Sequence, residues 1–226
     1  MTTTMPLDLD LDHCTVGEIA ARLPGATDIL RRYRIDFCCG GQRSLREACA
    51  QRDTDPARVI EELQRLATGM HTAVAPAEPT DLIEHILQRY HEVHRQQLPE
   101  LIRLANKVEA VHAGHALVPA GLAQHLQTMQ AELLAHMEKE EQVLFPLLAA
   151  GGSPMARFPI GVMRQEHDMH AAQLRRLHEL THDLTLPEDA CHTWRALYRT
   201  LQQFVDDLMQ HIHLENNVLF PRFEAA

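Results

Sequence analysis

The sequence predicts an all-α protein, an up-down-up-down four-helix bundle preceded by a small N-terminal helical module. Four long segments repeat apolar residues at spacings of three and four, which is the pattern of one buried helix face. Short stretches containing glycine or proline separate these segments, as expected between antiparallel neighbouring helices. The stretch HTAVAPAEPT at residues 71–80 interrupts the helical pattern with two prolines, which indicates a linker.

We therefore expect a helical module over residues 1–70, the linker over 71–80 and the bundle over 81–226. Within the module, capping residues and apolar spacing predict short helices at 16–23, 26–33, 44–51 and 56–66. A module of fewer than about 70 residues has a modest core, so we expect it to dock on the bundle or on the second subunit of a homodimer.

The bundle helices follow in order along the chain. The first is predicted over 81–111 with a bend at Pro99, because an internal proline removes a backbone hydrogen bond. The second follows a turn at Gly114 and Pro119 and ends near residue 148, the third covers 159–184, and Pro187 opens the fourth. The apolar stripes of the first, second and fourth helices include Leu87, Leu147 and Val218, respectively.

A motif on these stripes occurs twice: His-x-x-x-Glu-x-x-x-Leu-Phe-Pro begins at His136 (HMEKEEQVLFP) and at His211 (HIHLENNVLFP). A His-acid-x-His stretch precedes each copy, beginning at His91 and at His167. His and Glu four residues apart lie one turn apart on the same helix face, where both side chains can bind one metal ion. Burying such groups without partners is costly, so the repeat predicts a metal site.

The candidate metal ligands provide only nitrogen and oxygen donors, and they are His91, His136, Glu140, His167, His211 and Glu215. Four histidines and two carboxylates exceed the usual three protein ligands of a catalytic zinc, and they suit two ions bridged by the glutamates. The donor set argues against a soft metal or an iron–sulfur cluster. Iron or manganese is the natural choice, and the residues alone leave zinc open. The spacing does not match HExxH, which excludes that metalloprotease class.

Composition limits the partners and the compartment. The formal charge of −10 argues against nucleic acid and anionic membranes as partners, and 16 histidines fit metal binding. The acidic N-terminus lacks the features of a secretion signal, and the chain has no apolar run of about 20 residues, so we expect a cytoplasmic protein. An odd number of cysteines, five, is consistent with a reducing compartment.

Three motifs carry a family resemblance: DFCCGG from Asp36, the Arg89-Tyr90-His91 triplet and the two HxxxExxxLFP copies. The second half resembles the hemerythrin-like domain, and the chain from about residue 10 onward resembles the di-iron Repair of Iron Centres family, the YtfE/ScdA group. This resemblance implies two iron ions bridged by Glu140 and Glu215. It also implies repair of iron–sulfur proteins damaged by nitrosative or oxidative stress.

Two mechanisms fit that implied function. Labile iron is delivered to a damaged cluster, with Cys38 and Cys39 as a possible route, or the di-iron centre acts as a nitric oxide reductase and forms nitrous oxide. The alternative is a binding protein that senses oxygen or nitric oxide. Oxygen-carrying hemerythrins have a further histidine on the third helix, where this chain has Ala171. The missing ligand favours reactivity with small molecules over reversible oxygen carriage.

Several further residues are candidates for the site. By resemblance, Glu132 and Glu166 belong to an access path or proton relay, whereas the simpler interpretation is that they are solvated. Adjacent cysteines close only a strained ring, so Cys38 and Cys39 are interpreted as a thiol pair rather than a structural disulfide, or else as small buried residues. The remaining inward histidines are hydrogen-bond partners of the ligands, packing residues or substitute ligands, and they are His94 and His170.

Overall fold

The fold is that of a computed structural model, which describes residues 11, 13–69, 78–152 and 154–224. These residues form helices and turns without a β-strand, which confirms the predicted all-α class. The helices are α1 (Val16–Arg22), α2 (Ala26–Arg32), α3 (Leu45–Ala50), α4 (Pro56–Gly69), α5 (Pro79–Ile86), α6 (Glu92–Val111), α7 (Leu122–Lys139), α8 (Phe145–Ala149), α9 (Arg157–Leu180), α10 (His192–His213) and α11 (Pro221–Glu224). Within the described ranges, no helix is both long and apolar enough to cross a lipid bilayer.

The chain divides into two compact units. Residues 83–208 form the bundle unit, and residues 1–82 together with 209–226 form the terminal unit, so the boundaries fall inside α5 and α10. Of the predicted linker, residues 71–77 lie outside the described residues, and Pro79 and Thr80 begin α5. The predicted domain limits stay a prediction.

The terminal unit contains the four predicted short helices of the N-terminal module. Two of them begin with a capping box, in which the side chain of Thr15 or Ser44 accepts the backbone N–H three residues ahead. In return, Glu18 and Glu47 accept the backbone N–H of those capping residues. The core of this unit is formed by fully buried apolar side chains, which include Val16, Ile19, Leu30, Ile35, Phe37, Leu45, Val59 and Leu63.

In the bundle unit, neighbouring helices run antiparallel, because residues near the start of one helix contact residues near the end of the next. Between the α6 and α7 segments, His91 contacts Glu141 and Glu109 contacts Ala123. Between α7 and α9, His136 contacts Glu166 and His125 contacts Gln173. Between α6 and α10, His94 contacts Phe204 and His112 contacts Trp194. This order agrees with the predicted up-down-up-down topology.

Three wide π-helical turns interrupt the long helices, at Leu87–His91, Glu140–Leu144 and Leu214–Leu219. In the two repeat copies the turn closes in the same way, because the N–H of the motif's phenylalanine donates to the carbonyl of the glutamate five residues earlier. The proline that comes next has no N–H and therefore leaves no donor unpaired after the turn. This hydrogen bond explains the fixed spacing from Glu to Phe-Pro in the motif. Each π turn contains one of the predicted ligands, which is typical of functional sites.

Some helix limits differ from the sequence-based expectation. A bend was expected at Pro99, which lies inside the continuous helix α6. The first helix is instead interrupted earlier, by the π turn that ends at His91. The third helix ends at Leu180 rather than at residue 184, because residues 182–184 have φ values of 50°, 58° and 58°. Such left-handed backbone ends a right-handed helix. Pro187 lies in the turn before α10, where its carbonyl accepts the N–H of Ala190.

Candidate metal centre

All six predicted ligands are buried, with at most 1% of any of them exposed. The bundle unit contains His91, His136, Glu140 and His167, and the terminal unit contains His211 and Glu215. Helix periodicity explains this burial, because the ligands lie on the apolar stripes that form the two cores.

In the bundle unit, the imidazole nitrogens converge on one carboxylate. The Nε2 atoms of His91 and His136 each lie 3.4 Å from Oε2 of Glu140. The Nε2 atom of His167 lies 3.2 Å from that of His136. One ligand atom from each of His136, Glu140 and His167 lies within 4.8 Å of the other two. Metal–nitrogen and metal–oxygen bonds of about 2 Å hold adjacent ligand atoms roughly 3 Å apart, so these donors fit a metal ion.

In the terminal unit, the second copy of the motif forms a corresponding pair. The Nε2 atom of His211 lies 3.0 Å from Oε1 of Glu215, one helical turn away. Both side chains are fully buried. The spacing of four residues therefore places imidazole and carboxylate together in this copy as well.

The other ring nitrogen of two candidate ligands faces a further carboxylate. The Nδ1 atom of His91 lies 2.7 Å from Oε1 of Glu141, and that of His136 lies 2.9 Å from Oε2 of Glu166. A carboxylate at Nδ1 keeps the proton on that nitrogen and leaves the Nε2 lone pair available to a metal ion. Both Nε2 atoms face Glu140. This arrangement, together with the nitrogen and oxygen donors, fits a bound metal.

Cationic side chains hold the two outer carboxylates in their ionised form. The hydrogen bond with His136 lowers the pKa of Glu166 to about 2, with a further contribution from Lys139 and against the effect of burial. Burial opposes the ionisation of Glu141, but hydrogen bonds from His91 and Arg95 outweigh it and lower the pKa of this carboxyl. Both groups therefore accept hydrogen bonds from the ligand histidines at neutral pH.

Glu132 is linked to the donor cluster less directly than Glu166, which contacts His136 itself. Its exposed carboxylate accepts a hydrogen bond from the side-chain amide of Gln173, and Oε1 of Gln173 lies 3.1 Å from Nδ1 of His170. The ring of His170 packs edge-on against His136, with 5.0 Å between the ring centroids. A short hydrogen-bonded chain thus leads from the surface to the neighbour of a candidate ligand.

Ala171 and His94 are both buried. Ala171 follows His170 on α9 and offers no donor atom. His94 packs edge-on against Phe204 with 5.5 Å between ring centroids, and its ring centroid lies 6.4 Å from that of Tyr90. These contacts favour packing as the role of His94, among the roles that the sequence left open.

Cys38 and Cys39 lie in the terminal unit with their sulfur atoms 3.8 Å apart. A disulfide bond is only about 2.05 Å long, so the two sulfur atoms are not joined in the structure. Cys38 is buried and Cys39 is half-buried. The hydrogen bond with Cys39, burial and the neighbouring Asp36 raise the pKa of Cys38 well above its usual value. Cys38 is therefore a protonated thiol at neutral pH.

Two asparagines of the second motif copy hold the loop that carries these thiols. The side-chain amide of Asn216 donates to the carbonyl of Cys38 at 3.1 Å, and that of Asn217 donates to the carbonyl of Phe37 at 3.0 Å. A Cβ atom on Gly41 would lie only 2.5 Å from Oδ1 of Asn217, so this close approach requires glycine.

Sequence reasoning missed the contacts of Glu141, Gln173, Asn216 and Asn217. The available signal was the difference between the two copies, in which Glu140 is followed by glutamate and Glu215 by asparagine. Apart from His170, three residues before Gln173, the partners described above are 41 to 180 residues away along the chain, beyond the reach of helix periodicity.

Comparison with known proteins defines the class first. Residues 82–223 match the family described as the Hemerythrin HHE cation binding domain. Residues 12–67 match ScdA_N, described as a domain of unknown function (DUF542). The helical bundle and its buried histidines and glutamates therefore define a metal-binding protein with a hemerythrin-like domain.

Similar proteins define the family more closely. The chain is 45% identical to the iron–sulfur cluster repair protein YtfE of Citrobacter koseri over 212 residues, which are 93% of this chain and 96% of the relative. It is 46% identical to the protein of that name in Cronobacter sakazakii over the same shares of both chains. For Yersinia pseudotuberculosis the identity is 44% over 95% of this chain and 98% of the relative. The chain belongs to this YtfE family, which confirms the predicted resemblance.

Proposed function

We propose that the chain repairs damaged iron–sulfur clusters by means of a non-haem di-iron site. The observation that carries this proposal is the buried set of histidines backed by carboxylates, in which Glu141 and Glu166 direct the Nε2 atoms of two histidines towards Glu140. The names of the relatives support the repair function. The proposed ligands are His91, His136, Glu140, His167, His211 and Glu215, with the two glutamates as bridges.

Iron is the proposed metal, in preference to manganese or zinc. The nitrogen and oxygen donors suit iron, and the histidine-to-carboxylate contacts increase the basicity of the ligands. When bound, two ferrous ions supply one electron each, so that two nitric oxide molecules and two protons yield nitrous oxide and water. The buried residues keep the donors away from bulk water and hold their lone pairs in place.

The chain offers groups for each of the two mechanisms. For iron delivery, Cys38 and Cys39 provide sulfur donors in a loop fixed by asparagine side chains. For nitric oxide reduction, Ala171 offers no donor atom, and the hydrogen-bonded chain from Glu132 through Gln173 to His170 is the proposed access path or proton relay. For Glu166 we propose a positioning role towards His136, because a carboxyl with a pKa of about 2 is ionised at neutral pH and holds no proton to pass on. Its role in a relay stays a prediction.

The proposed setting is the cytoplasm, and the proposed partners are damaged iron–sulfur proteins, with nitric oxide or oxygen as the small-molecule ligand. The net charge of −10 disfavours nucleic acid and anionic membranes as partners. A homodimer is proposed as the assembly, in which the N-terminal module docks on the second subunit or on its own bundle.

One set of measurements tests the proposed function. Metal analysis and Mössbauer spectroscopy of the isolated protein should give two iron ions per chain; zinc, or a single iron, would contradict the di-iron site. The protein should restore an enzyme whose [4Fe–4S] cluster has been damaged by nitric oxide, and His136→Ala should abolish this restoration.

The same protein separates the two mechanisms. Double replacement of Cys38 and Cys39 by alanine should abolish iron transfer and leave nitric oxide consumption intact if the thiols deliver iron. If nitric oxide reduction is the main activity, cluster protection should survive that replacement and nitrous oxide should form. Binding of nitric oxide with neither turnover nor iron transfer would favour the sensing alternative instead.

A further inference from the structure

Three donor side chains meet in the loop that comes after α2 in the terminal unit. They are the carboxylate of Asp36 and the thiols of Cys38 and Cys39, and one donor atom from each lies within 4.8 Å of the other two. We propose that these three side chains form a second metal site, which binds one thiol-seeking divalent cation. Its physiological role, as a way station for ferrous iron, rests on the proposed function above, whereas cation binding itself does not.

The spacing of the sulfur atoms fits a single tetrahedral ion. Two thiolates bound to one metal at about 2.3 Å, with a tetrahedral angle between them, lie roughly 3.8 Å apart. The observed distance between the two Sγ atoms is 3.8 Å, and Sγ of Cys38 lies 3.3 Å from Oδ1 of Asp36. A bound ion would therefore require little movement of the donors.

Backbone contacts hold the loop in this shape. The N–H of Cys39 donates to Oδ1 of Asp36 at 3.0 Å, which folds the carboxylate back over the thiols. Asn216 holds the carbonyl of Cys38 from the other side. A Cβ atom on Gly40 would lie 2.8 Å from the carbonyl oxygen of Asp36, so the tight return of the chain requires glycine there. Donors that are already positioned bind a cation without the cost of ordering the loop.

The donor set selects the kind of cation. Two sulfur atoms and one carboxylate oxygen favour borderline and soft divalent ions over magnesium or calcium, which prefer oxygen alone. On binding, both thiol protons pass to solvent, and two thiolates with one carboxylate then surround the ion. Three protein donors leave the fourth tetrahedral position open, as expected where an ion is handed on.

Cobalt(II) is a suitable probe, because coordination by thiolates gives a near-ultraviolet charge-transfer absorption that nitrogen and oxygen ligands do not give. We would titrate cobalt(II) into the full-length protein with its bundle metals in place, without oxygen and with a phosphine reductant. The absorption should saturate at one equivalent. Replacement of Cys38 or Cys39 by serine should abolish it, and Asp36→Asn should weaken cobalt(II) affinity at least about tenfold.

The matched control is Cys191→Ser. Sγ of Cys191 also lies beside a nitrogen donor, 3.2 Å from Nε2 of His112, yet no third candidate ligand joins this pair among the residues that the structure describes. Cys191→Ser should leave the cobalt(II) absorption unchanged. Circular dichroism of each variant checks folding, and Asp36→Asn keeps an oxygen to accept the N–H of Cys39. If Asp36→Asn fails to fold, Asp36→Ser replaces it.

The outcomes are distinct. Absence of the absorption in the unchanged protein, its persistence after loss of both Cys38 and Cys39, or unchanged affinity in a folded Asp36 variant would overturn the second metal site. Iron content of the bundle is measured in the same samples. A normal iron content without cobalt absorption overturns only this inference, and cobalt absorption in a protein that binds no bundle iron overturns only the proposed function.

Discussion

The two copies of the HxxxExxxLFP motif share one backbone design and differ in the residues directly after the glutamate. In both copies a buried histidine precedes a buried glutamate by one turn, and the glutamate begins or enters a π turn closed by the N–H of phenylalanine. The residue after Glu140 is Glu141, which contacts His91, whereas the residues after Glu215 are Asn216 and Asn217, which hold the thiol loop.

Because of this difference, the two copies have the same backbone structure but different roles. A carboxylate next to a histidine controls the ring's tautomer, and an amide next to a backbone carbonyl fixes the position of a loop. The first copy therefore supports the ligand set of the bundle unit. The second copy contains two of the predicted ligands and also anchors Cys38 within the terminal unit. Substitutions in both copies test this division, and those at the shared glutamates should have the largest effect.

Replacement of the glutamate in either copy removes the feature that the copies share. In Glu140→Gln or Glu215→Gln, a neutral amide replaces the anionic ligand, so we expect iron content per chain to fall by at least half. Metal analysis after desalting measures this loss. Glu138→Gln, at an exposed position of α7, is the matched control and should keep its iron. If either glutamate variant kept its full iron content, the glutamates of the two copies would not be equivalent metal ligands.

Glu141→Asn gives the first copy the residue that the second copy has at this position. His91 then loses the carboxylate 2.7 Å from its Nδ1 atom, and we expect the iron affinity to fall about 10–100-fold. Competition with a chelator measures the affinity. Gln142→Asn, at the next and exposed position, should leave it unchanged. Equal affinities in the two variants would remove the proposed role of Glu141.

Gly41→Ala tests the close contact made by the second copy. The new methyl group would meet Oδ1 of Asn217 at 2.5 Å and the carbonyl oxygen of Phe37 at 2.9 Å, so we expect a loss of about 1–3 kcal/mol in the free energy of unfolding. Urea denaturation measures it. Gly114→Ala is the control, because no atom lies within 4 Å of its added Cβ. Adding Asn217→Ala to Gly41→Ala should recover part of the loss.

Asn217→Ala and Gln142→Ala alter equivalent positions of the two copies. The difference between their unfolding free energies is the smallest effect that we predict. Asn217→Ala removes the hydrogen bond to the carbonyl of Phe37 and should cost about 1 kcal/mol of unfolding free energy. The side chain of Gln142 is exposed, and its amide donates a hydrogen bond to Glu138 one turn earlier. Its removal should therefore cost less than about 0.5 kcal/mol of unfolding free energy. Equal costs in urea denaturation would contradict the anchoring role of the second copy.

The sequence predicted which residues of a helix are buried less accurately next to a π turn than in a regular helix. The third helix has no such turn, and its predicted stripe is buried throughout: Ile160, Met163, His167, His170, Leu174 and Leu177. In the other three helices one predicted position is displaced by one residue next to the π turn. The buried residues there are Ile86 instead of Leu87, Leu148 instead of Leu147, and Leu219 instead of Val218.

The reason for this displacement is geometric. A π turn contains an additional residue, so spacings of three and four, which assume a regular α-helix, lose register on one side of it. His167 lies on the regular third helix, and the other five predicted ligands lie before or at the wide turns; all six were found on the buried face. In the two motif copies, the hydrogen bond from phenylalanine to the glutamate carbonyl is the physical basis of the displacement, and Phe-Pro after Glu is its sequence signal. In the first helix the corresponding bond runs from the N–H of Glu92 to the carbonyl of Leu87.

The contacts around the site were less predictable than the ligands. Periodicity places His91 and His136 on inward faces, but it does not identify the partners of their outward nitrogens. Those partners, Glu141 and Glu166, are brought close by the packing of one helix on another, 50 and 30 residues away along the chain. Hydrogen bonds of this kind depend on the rotation of both helices, which a single sequence does not specify.

The anchoring of the thiol loop also sets an order of assembly. The hydrogen bonds from Asn216 to Cys38 and from Asn217 to Phe37 join residues 178 and 180 positions apart. During synthesis, the capped N-terminal helices leave the ribosome long before the asparagines that complete their unit. Contacts between such distant segments form slowly, because a long loop must close first. The cysteine pair is therefore fixed only after the segment that contains His211 and Glu215 has been synthesised.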